Sequence, residues 1–241
     1  TTESPSVTPP HATRFNDDDT VTGSYLLGSW GRDIGPDNRI EIRSYIHREV
    51  SEGEEISEER DIVDFDADHR FKFGDLHTIV WGFGGRYSRD ELSESFRYRF
   101  AEESGDQSMV HAFLQDTISL WDGDVSLTLG TKLEYNSYTG VEIQPSARAI
   151  WRATPDHNVW AAVSRAVRTP SRAERDAEIS LGVFPSSTAT ALGLPDTGLP
   201  LDIRVIGNPD IESEELLALE LGHRWTASPT VSFDTAVFYN F

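Results

Sequence analysis

Apolar and polar residues alternate with a period of two along much of the chain. The clearest example is VDFDADHRFKF (63–73), where the odd positions are mostly apolar and the even positions are all charged. Successive side chains of a β-strand point to opposite faces, so this pattern predicts a strand with one apolar face and one charged face. VSLTLGTKLEYN (125–136) repeats the pattern. The sequence therefore predicts an all-β protein.

About ten segments of this kind follow one another, and they are long for strands. Their predicted bounds are 20–31, 38–49, 60–73, 76–88, 108–121, 124–136, 143–153, 157–168, 214–226 and 230–241. Strands in soluble proteins average about 5–6 residues. About 11 residues at ~3.3 Å each, tilted by ~40°, rise about 27 Å, close to the ~25 Å apolar band of an outer-membrane barrel. Two segments alternate poorly: 76–88 is apolar on both faces, and in 108–121 Asp116 shares a face with Leu114 and Ile118.

The connections between these segments alternate between short and long. The short ones carry turn residues, as in GRDIGPDN, DGD, TPDH and ASPT. Long outer loops are predicted at 50–59, 89–107 and 169–213, and the connection 137–142 is of medium length. Transmembrane barrels have tight periplasmic turns on one rim and large loops on the other, whereas a soluble sandwich has no reason to sort loops in this way. We therefore predict an antiparallel transmembrane β-barrel.

The charged face of 63–73 limits what the inside of that barrel contains. Its five charges are Asp64, Asp66, Asp68, Arg70 and Lys72. Burying them in a dry interior is prohibitive unless each is paired, so the lumen holds water or is lined by a plug. Aromatic residues near strand ends fit either the interfacial girdles of a barrel or ordinary cross-strand packing. These residues are Trp30, Trp81, Trp121, Tyr135, Trp151, Trp225 and Tyr239.

Composition excludes several classes of function. The chain has 41 Asp or Glu and 21 Lys or Arg, a formal net charge of −20, which argues against nucleic acid as a partner because phosphate binding needs a basic surface. With no cysteine there is no disulfide, thiolate metal site or cysteine nucleophile. The seven histidines are scattered, and no nucleophile elbow or phosphate loop is present. We expect no enzyme activity, no cofactor and no metal site.

Four stretches resemble a known family. SRAVRTPSRAERD (164–176) resembles the S-R-A-x-R-x-P-S stretch of TonB-dependent outer-membrane receptors. Residues 111–151 carry that family's Q-D-x-x-x-L, L-T-L-G-x-K/R and P-S-A-R landmarks. Residues 207–225 resemble its G-N-P…E…x-E-x-G strand, and 233–240 its D-x-A-x-F-Y-N strand. The landmarks occur in the family's order across 76–241, while 20–75 agrees in pattern only.

The resemblance implies an active transporter of the bacterial outer membrane. Such a protein imports a scarce, bulky solute of the ferric siderophore, haem or cobalamin class, energised through TonB, and has a ~22-stranded barrel with a plugged lumen. No plug domain and no TonB-contacting segment is recognisable in this sequence, so we expect an interior fragment with about ten strands of the larger barrel. Residues 1–19 are then a polar outer loop or fragment end, and 20–241 are part of the barrel domain. The implied partners are outer-membrane lipid and lipopolysaccharide, a metal chelate or cobalamin-like ligand, and the TonB complex through the plug region.

Two other functions remain open from the residues alone. One is a complete ten-stranded outer-membrane pore or enzyme, because the last segment ends in an aromatic residue as terminal barrel strands do. The other is a soluble, acidic β-sandwich that binds carbohydrate or calcium.

The candidate ligand-binding residues lie in 165–184. They are Arg165, Arg168, Arg172, Arg175 and Phe184. Guanidinium groups suit the carboxylate and catecholate oxygens of an anionic iron chelate. The alternative is a rim cluster in which these arginines pair with Glu174, Asp176, Glu178 or lipopolysaccharide phosphates.

Overall fold

The computed structural model describes residues 2–15, 18–195 and 197–241, and strands dominate it. In chain order the elements are β1 (Thr2–Pro5), β2 (Ala12–Phe15), β3 (Thr20–Gly35), β4 (Asn38–Glu52), β5 (Ser57–Phe73), β6 (His77–Ser93), β7 (Tyr98–Phe100), β8 (Ser104–Leu120), β9 (Val125–Asn136), β10 (Gly140–Thr154), β11 (His157–Arg168), α1 (Arg172–Asp176), β12 (Ala177–Phe184), α2 (Ser186–Ala191), β13 (Leu201–Ile206), β14 (Glu214–Ser228) and β15 (Val231–Asn240). No helix in the described ranges is long and apolar enough to cross a membrane.

Ten strands form one antiparallel sheet. Their order is β15-β14-β11-β10-β9-β8-β6-β5-β4-β3, so strands that follow one another along the sheet are joined by hairpins or by the two longest connections. Each of the ten predicted segments overlaps one of these strands, and the all-β antiparallel prediction is confirmed. Within the described part of the chain, nothing pairs with the free edge of β3 or β15. The sheet is therefore an open wall and not a closed ten-stranded barrel.

Burial on the two faces of this wall is the reverse of that in a soluble protein. On β5, Asp64 is 8% exposed, whereas Val63 and Phe65 on the opposite face are 50% and 40% exposed. On β9, Glu134 is 9% exposed and Leu133 is 48% exposed. Side chains on the concave side of a curved sheet crowd one another, and those on the convex side splay apart. The charged face is therefore concave and the apolar face convex, as a barrel wall with a polar lumen and a lipid-facing exterior requires.

Several charges on the concave face are paired with a neighbour. Asp64 lies 2.9 Å from Arg86 on the next strand, and Lys132 lies 2.6 Å from Glu134. His111 lies 3.2 Å from Asp66, and Gly84 between them leaves the space, since a Cβ there would stand 2.4 Å from the Asp66 carboxylate. Pairing of this kind reduces the cost of holding charges in a partly desolvated lumen.

The connections differ in length from those predicted. On one rim all are short: 36–37, 74–76, 121–124, 155–156 and 229–230. On the other rim β4 and β5 run on until only Gly53 to Ile56 separate them, so the loop predicted at 50–59 is mostly strand. Likewise 89–107 shrinks to 94–103, and 137–142 to 137–139. The residues at the ends of these predicted loops belong to the strands, because a strand that leaves the membrane keeps its backbone hydrogen bonds. The connection 169–213 remains long.

Aromatic side chains on the convex face form two belts. Tyr87 and Tyr135 lie toward the rim that carries 169–213, and Trp151 and Trp225 lie toward the other rim. Tyr135 stands ten residues along β9 from Val125, the register partner of Trp151. That separation is about 33 Å of strand, or about 25 Å of height at a ~40° tilt, which matches an apolar membrane band.

One polar pair interrupts the convex face near the short-turn rim. Asp116 pairs in register with Ile79 and Leu129 on the apolar face, as the sequence pattern indicated. Its carboxylate lies 2.6 Å from Nδ1 of His77 at the start of β6. This contact gives the carboxylate a partner that the apolar neighbours do not provide.

Candidate functional site

The two longest connections fold together into one unit on the outer rim, which we call the outer module (94–103 and 169–213). Its centre is a second antiparallel sheet in the order β13-β12-β7, flanked by α1 and α2. The buried apolar residues among those described are Leu92, Ala177, Val183 and Ala189. Three of them belong to the outer module, and the fourth, Leu92, donates its N–H to the Glu103 carbonyl at 2.8 Å. The outer module therefore has a small core of its own.

The module begins at a charged corner where β11 ends. Ser171 caps α1: its hydroxyl accepts from the Glu174 N–H, and the Glu174 carboxylate accepts from the Ser171 N–H at 2.7 Å. Arg168 lies 2.8 Å from Glu174 and 2.7 Å from Glu214 at the start of β14. The guanidinium of Arg168 thus joins the end of one wall strand, the first turn of the module and the return strand.

Arg172 attaches the module to the wall. Its side chain is 10% exposed, forms an ion pair with Asp90 of β6 and donates to the Glu102 carbonyl. The guanidinium carbon lies 5.3 Å from the ring centre of Phe100, which adds a cation–π contact. These contacts join the two segments of the module and fix both to β6.

The other two candidate arginines are also engaged. Arg165 lies 2.5 Å from Glu215 and 3.5 Å from Glu142. Arg175 donates to the Tyr138 carbonyl at 2.9 Å and lies 4.5 Å from the centre of the Tyr138 ring. All four arginines predicted from the sequence lie at the outer rim, and each has a protein partner.

Phe184 lies on a different surface of the module. It is 40% exposed, and Leu181, Ile203 and Val205 of the same two-strand ladder are 63%, 39% and 52% exposed. No described contact joins it to the four arginines. The structure therefore offers two distinct surfaces, an ion-paired rim and an exposed apolar sheet face.

Nothing in the sequence marked Arg97 or Arg204, yet both hold the module together. Arg204 lies 2.7 Å from Asp202 and 5.4 Å from the centre of the Phe96 ring. Arg97 lies 3.2 Å from Glu55 on the neighbouring hairpin. The available signal was an arginine in or beside a short strand, and such a residue marks a paired charge as readily as a ligand contact. In the described ranges, no group of three or more acidic or histidine side chains is arranged to hold a metal ion.

Replacing Asn136 is expected to loosen the 137–139 turn beneath the module. Asn136 is 1% exposed, its side-chain oxygen accepts from the N–H groups of Tyr138 and Thr139, and its amide donates to Thr169. Asn136→Ala leaves two N–H groups without an acceptor, at a cost of about 1–3 kcal/mol. The loosening of the turn is measured as faster hydrogen exchange of the Tyr138 and Thr139 amides. Asn136→Asp keeps the acceptor and should protect both amides; equal exchange in the two variants would contradict this role.

Acidification is expected to loosen the first turn of the module. The hydrogen bond from Arg168, followed by those from the backbone and hydroxyl of Ser171, lowers the pKa of Glu174 to about 2. A carboxylate whose pKa is depressed in the folded state stabilises that state fully above its unfolded pKa, about 4.3, and loses the contribution as the pH falls toward 2. Hydrogen-exchange protection at 171–176 should therefore fall over that range. Glu174→Gln should lack this step, and an identical step in the variant would show that another group causes it.

Comparison with solved structures finds the same wall in several outer-membrane receptors. The siderophore receptor PirA from Acinetobacter baumannii superposes with a TM-score of 0.71 at 13% identity, over 92% of this chain and 35% of that chain. PirA from Pseudomonas aeruginosa gives 0.59 at 14% identity, over 91% and 45%. The ferric citrate transporter FecA in its unliganded form gives 0.57 at 14% identity, over 91% and 34%. The chain thus spans between about a third and under half of the length of these proteins.

A comparison with curated proteins gave no match. The sequence of residues 8–241 matches the family described as "TonB dependent receptor-like, beta-barrel". This match covers all ten strands of the wall as well as the outer module, and the structure has the reversed burial that a membrane-spanning barrel wall requires. The chain belongs to the TonB-dependent receptor β-barrel family of bacterial outer-membrane proteins.

Proposed function

We propose that the chain forms part of the wall and mouth of an outer-membrane importer of iron chelates. The observation that carries the proposal is the family match over 8–241. The similarity in fold to the siderophore receptor PirA and the ferric citrate transporter FecA supports iron chelates as the cargo. By the same resemblance, the import is energised through TonB, and a plug lines the paired charges of the concave face. Lipid contacts the convex face, and lipopolysaccharide lies at its outer rim.

The outer module is the part of the mouth that meets the chelate in this proposal. The predicted outer loops 50–59, 89–107 and 169–213 together contain 18 Asp or Glu and 6 Arg, so an anionic chelate is not attracted to them from a distance. The oxygens of the chelate can bind a guanidinium group only by displacing the carboxylate that is paired with it. Arg168, whose side chain is 51% exposed and shared between Glu174 and Glu214, is the best placed for that exchange. Arg165, Arg172 and Arg175 support the rim, and Phe184 with its apolar neighbours offers a contact for an aromatic or aliphatic part of the ligand.

Uptake of labelled ferric chelates tests this function. A strain that depends on this receptor, supplied with one ferric siderophore or ferric citrate at a time, should take up at least one of them. Uptake should cease when the gene for TonB is deleted. Removing 177–206, which form β12, α2 and β13, should abolish uptake while the protein still reaches the outer membrane.

The control and the alternatives are built into the same strain. Arg14→Ala, at an exposed pair with Glu3, should leave uptake unchanged. Import of haem or cobalamin without any ferric chelate would replace the proposed cargo with another class. Uptake that persists without TonB would contradict energised import.

A further inference from the structure

Two histidines far apart in the sequence meet on the convex face near the short-turn rim. His157 is the first residue of β11 and pairs in register with Trp225 of β14. His223 lies two residues deeper on β14 and pairs with Val159 and Thr235. Both positions share the face that carries the aromatic belt of this rim. The pair therefore lies at the edge of the membrane band, on the side opposite to the outer module, with His223 exposed and His157 half-buried.

The two rings point their nitrogens at each other. Nδ1 of His157 lies 2.9 Å from Nε2 of His223, the ring planes differ by 2°, and the ring centres are 5.2 Å apart. A hydrogen bond between these atoms needs one nitrogen to carry a proton and the other to keep its lone pair free. No carboxylate in the described ranges forms an ion pair with either ring. The two facing nitrogens thus act as one donor and one acceptor, and neither ring has an anionic partner among the described residues.

We propose that His157 and His223 form a binding site for a divalent transition-metal ion of the copper, nickel and zinc class. Imidazole nitrogen is a preferred ligand of these ions. Metal–nitrogen distances of about 2.0–2.1 Å place two neighbouring ligands of one tetrahedral or square-planar ion roughly 2.9–3.4 Å apart. The observed nitrogen separation lies at the lower end of that range. A turn of the two rings makes one lone pair from each converge on one ion. The proton on the donating nitrogen moves through solvent to the other nitrogen of the same ring, so both imidazoles stay neutral, and water completes the coordination.

The chemistry of the pair also selects among ions. Magnesium and calcium prefer oxygen ligands and gain little from two imidazoles. Copper(II) binds most tightly in the order that nitrogen sites follow, ahead of nickel and zinc. A bound ion bridges β11 and β14, two strands that the outer module separates in sequence. Spacing could not reveal such a site, because its ligands are 66 residues apart and meet only through strand register.

Metal titration of the full chain in detergent, without an affinity tag, tests the proposal. Calorimetry with copper(II), nickel(II) and zinc(II) should show one equivalent that is lost, or weakened at least tenfold, in His157→Asn and in His223→Asn. The double variant should lose no more than either single variant, because both ligands serve one ion. Thermal unfolding should shift upward with these ions in the unaltered protein and not in the variants, since binding to the folded state alone stabilises it.

The control is His47→Asn on β4, which should still bind one equivalent of the metal ion with unchanged affinity. Unchanged stoichiometry and affinity in both pair variants would overturn the proposal. Equal binding of magnesium would also overturn it, because two imidazoles do not favour a hard cation. Asparagine at either rim position leaves the backbone ladder intact, and unchanged hydrogen-exchange protection of the β11 and β14 amides confirms that each variant folds.

Discussion

Replacing Arg172 by alanine is expected to release the outer module from the wall. The guanidinium is almost buried and forms the ion pair with Asp90 that joins the module to β6. Removing one partner of a buried pair leaves the other charge without compensation and costs about 3–5 kcal/mol. Loss of the contact to the Phe100 ring adds to this cost. Hydrogen exchange of the β12 amides and limited proteolysis within 177–206 should both accelerate, while the ten-stranded wall remains protected.

Two further variants separate the ion pair from a general loss of packing. Arg14→Ala removes a pair with 76% and 54% exposed side chains and should cost less than about 1 kcal/mol. The double variant Arg172→Ala/Asp90→Ala should recover part of the lost protection, because no buried charge is left alone. Protection of β12 that is the same in Arg172→Ala and in the unaltered protein would mean that the apolar core of the module holds it without the arginine.

The wall could be predicted from sequence because each strand carries its own signal. In 63–73 the alternation alone assigns Asp64 to one face and Phe65 to the other, and the structure places them so. Even the exception at Asp116 was visible, although its partner His77 was not. Period-two patterning is local, so ten independent segments gave ten strands.

The outer ends of the strands could not be predicted in the same way. Beyond the membrane both faces of a strand meet water, so alternation stops while the hydrogen-bond ladder continues. For that reason the sequence predicted a loop at Glu52, Glu58 and Glu59, although Glu52 lies in β4 and the other two lie in β5. The loop predicted at 50–59 is a turn of four residues, 53–56, in the structure. The connections therefore do not alternate strictly between short and long.

The candidate site was only partly accessible because its chemistry is non-local. Sequence placed four arginines at the outer rim, where they are found, and named Glu174, which pairs with Arg168, but it did not identify the carboxylates that come from other strands. Asp90 reaches Arg172 from β6, and Glu214 and Glu215 reach Arg168 and Arg165 from β14. Which arginines stay free for a ligand depends on such partners, and no spacing rule encodes them.

Lysine at position 161 is expected to destabilise the protein far more than lysine at position 162. These adjacent alanines occupy opposite faces of β11 midway between the aromatic belts. Ala161 pairs in register with Leu221 and Ala149 on the convex face, and Ala162 pairs with Glu220 and Arg148 on the concave face. A lysine on the lipid face near the bilayer midplane costs about 2–4 kcal/mol. In the lumen its ammonium lies beside Glu220 and stays hydrated, so Ala162→Lys should cost less than about 1 kcal/mol.

Reversible unfolding of the two variants from lipid vesicles measures the difference, and each variant serves as the matched control of the other. Both changes add the same side chain to the same strand at the same depth, so strand propensity, net charge and length are equal. Only the medium that receives the ammonium differs. Equal costs would mean that both faces meet water, as in a soluble sheet. A larger destabilisation at position 162 would mean that the charged face meets lipid and the apolar face lines the lumen. That result would overturn the assignment of the charged face to the inside of the barrel.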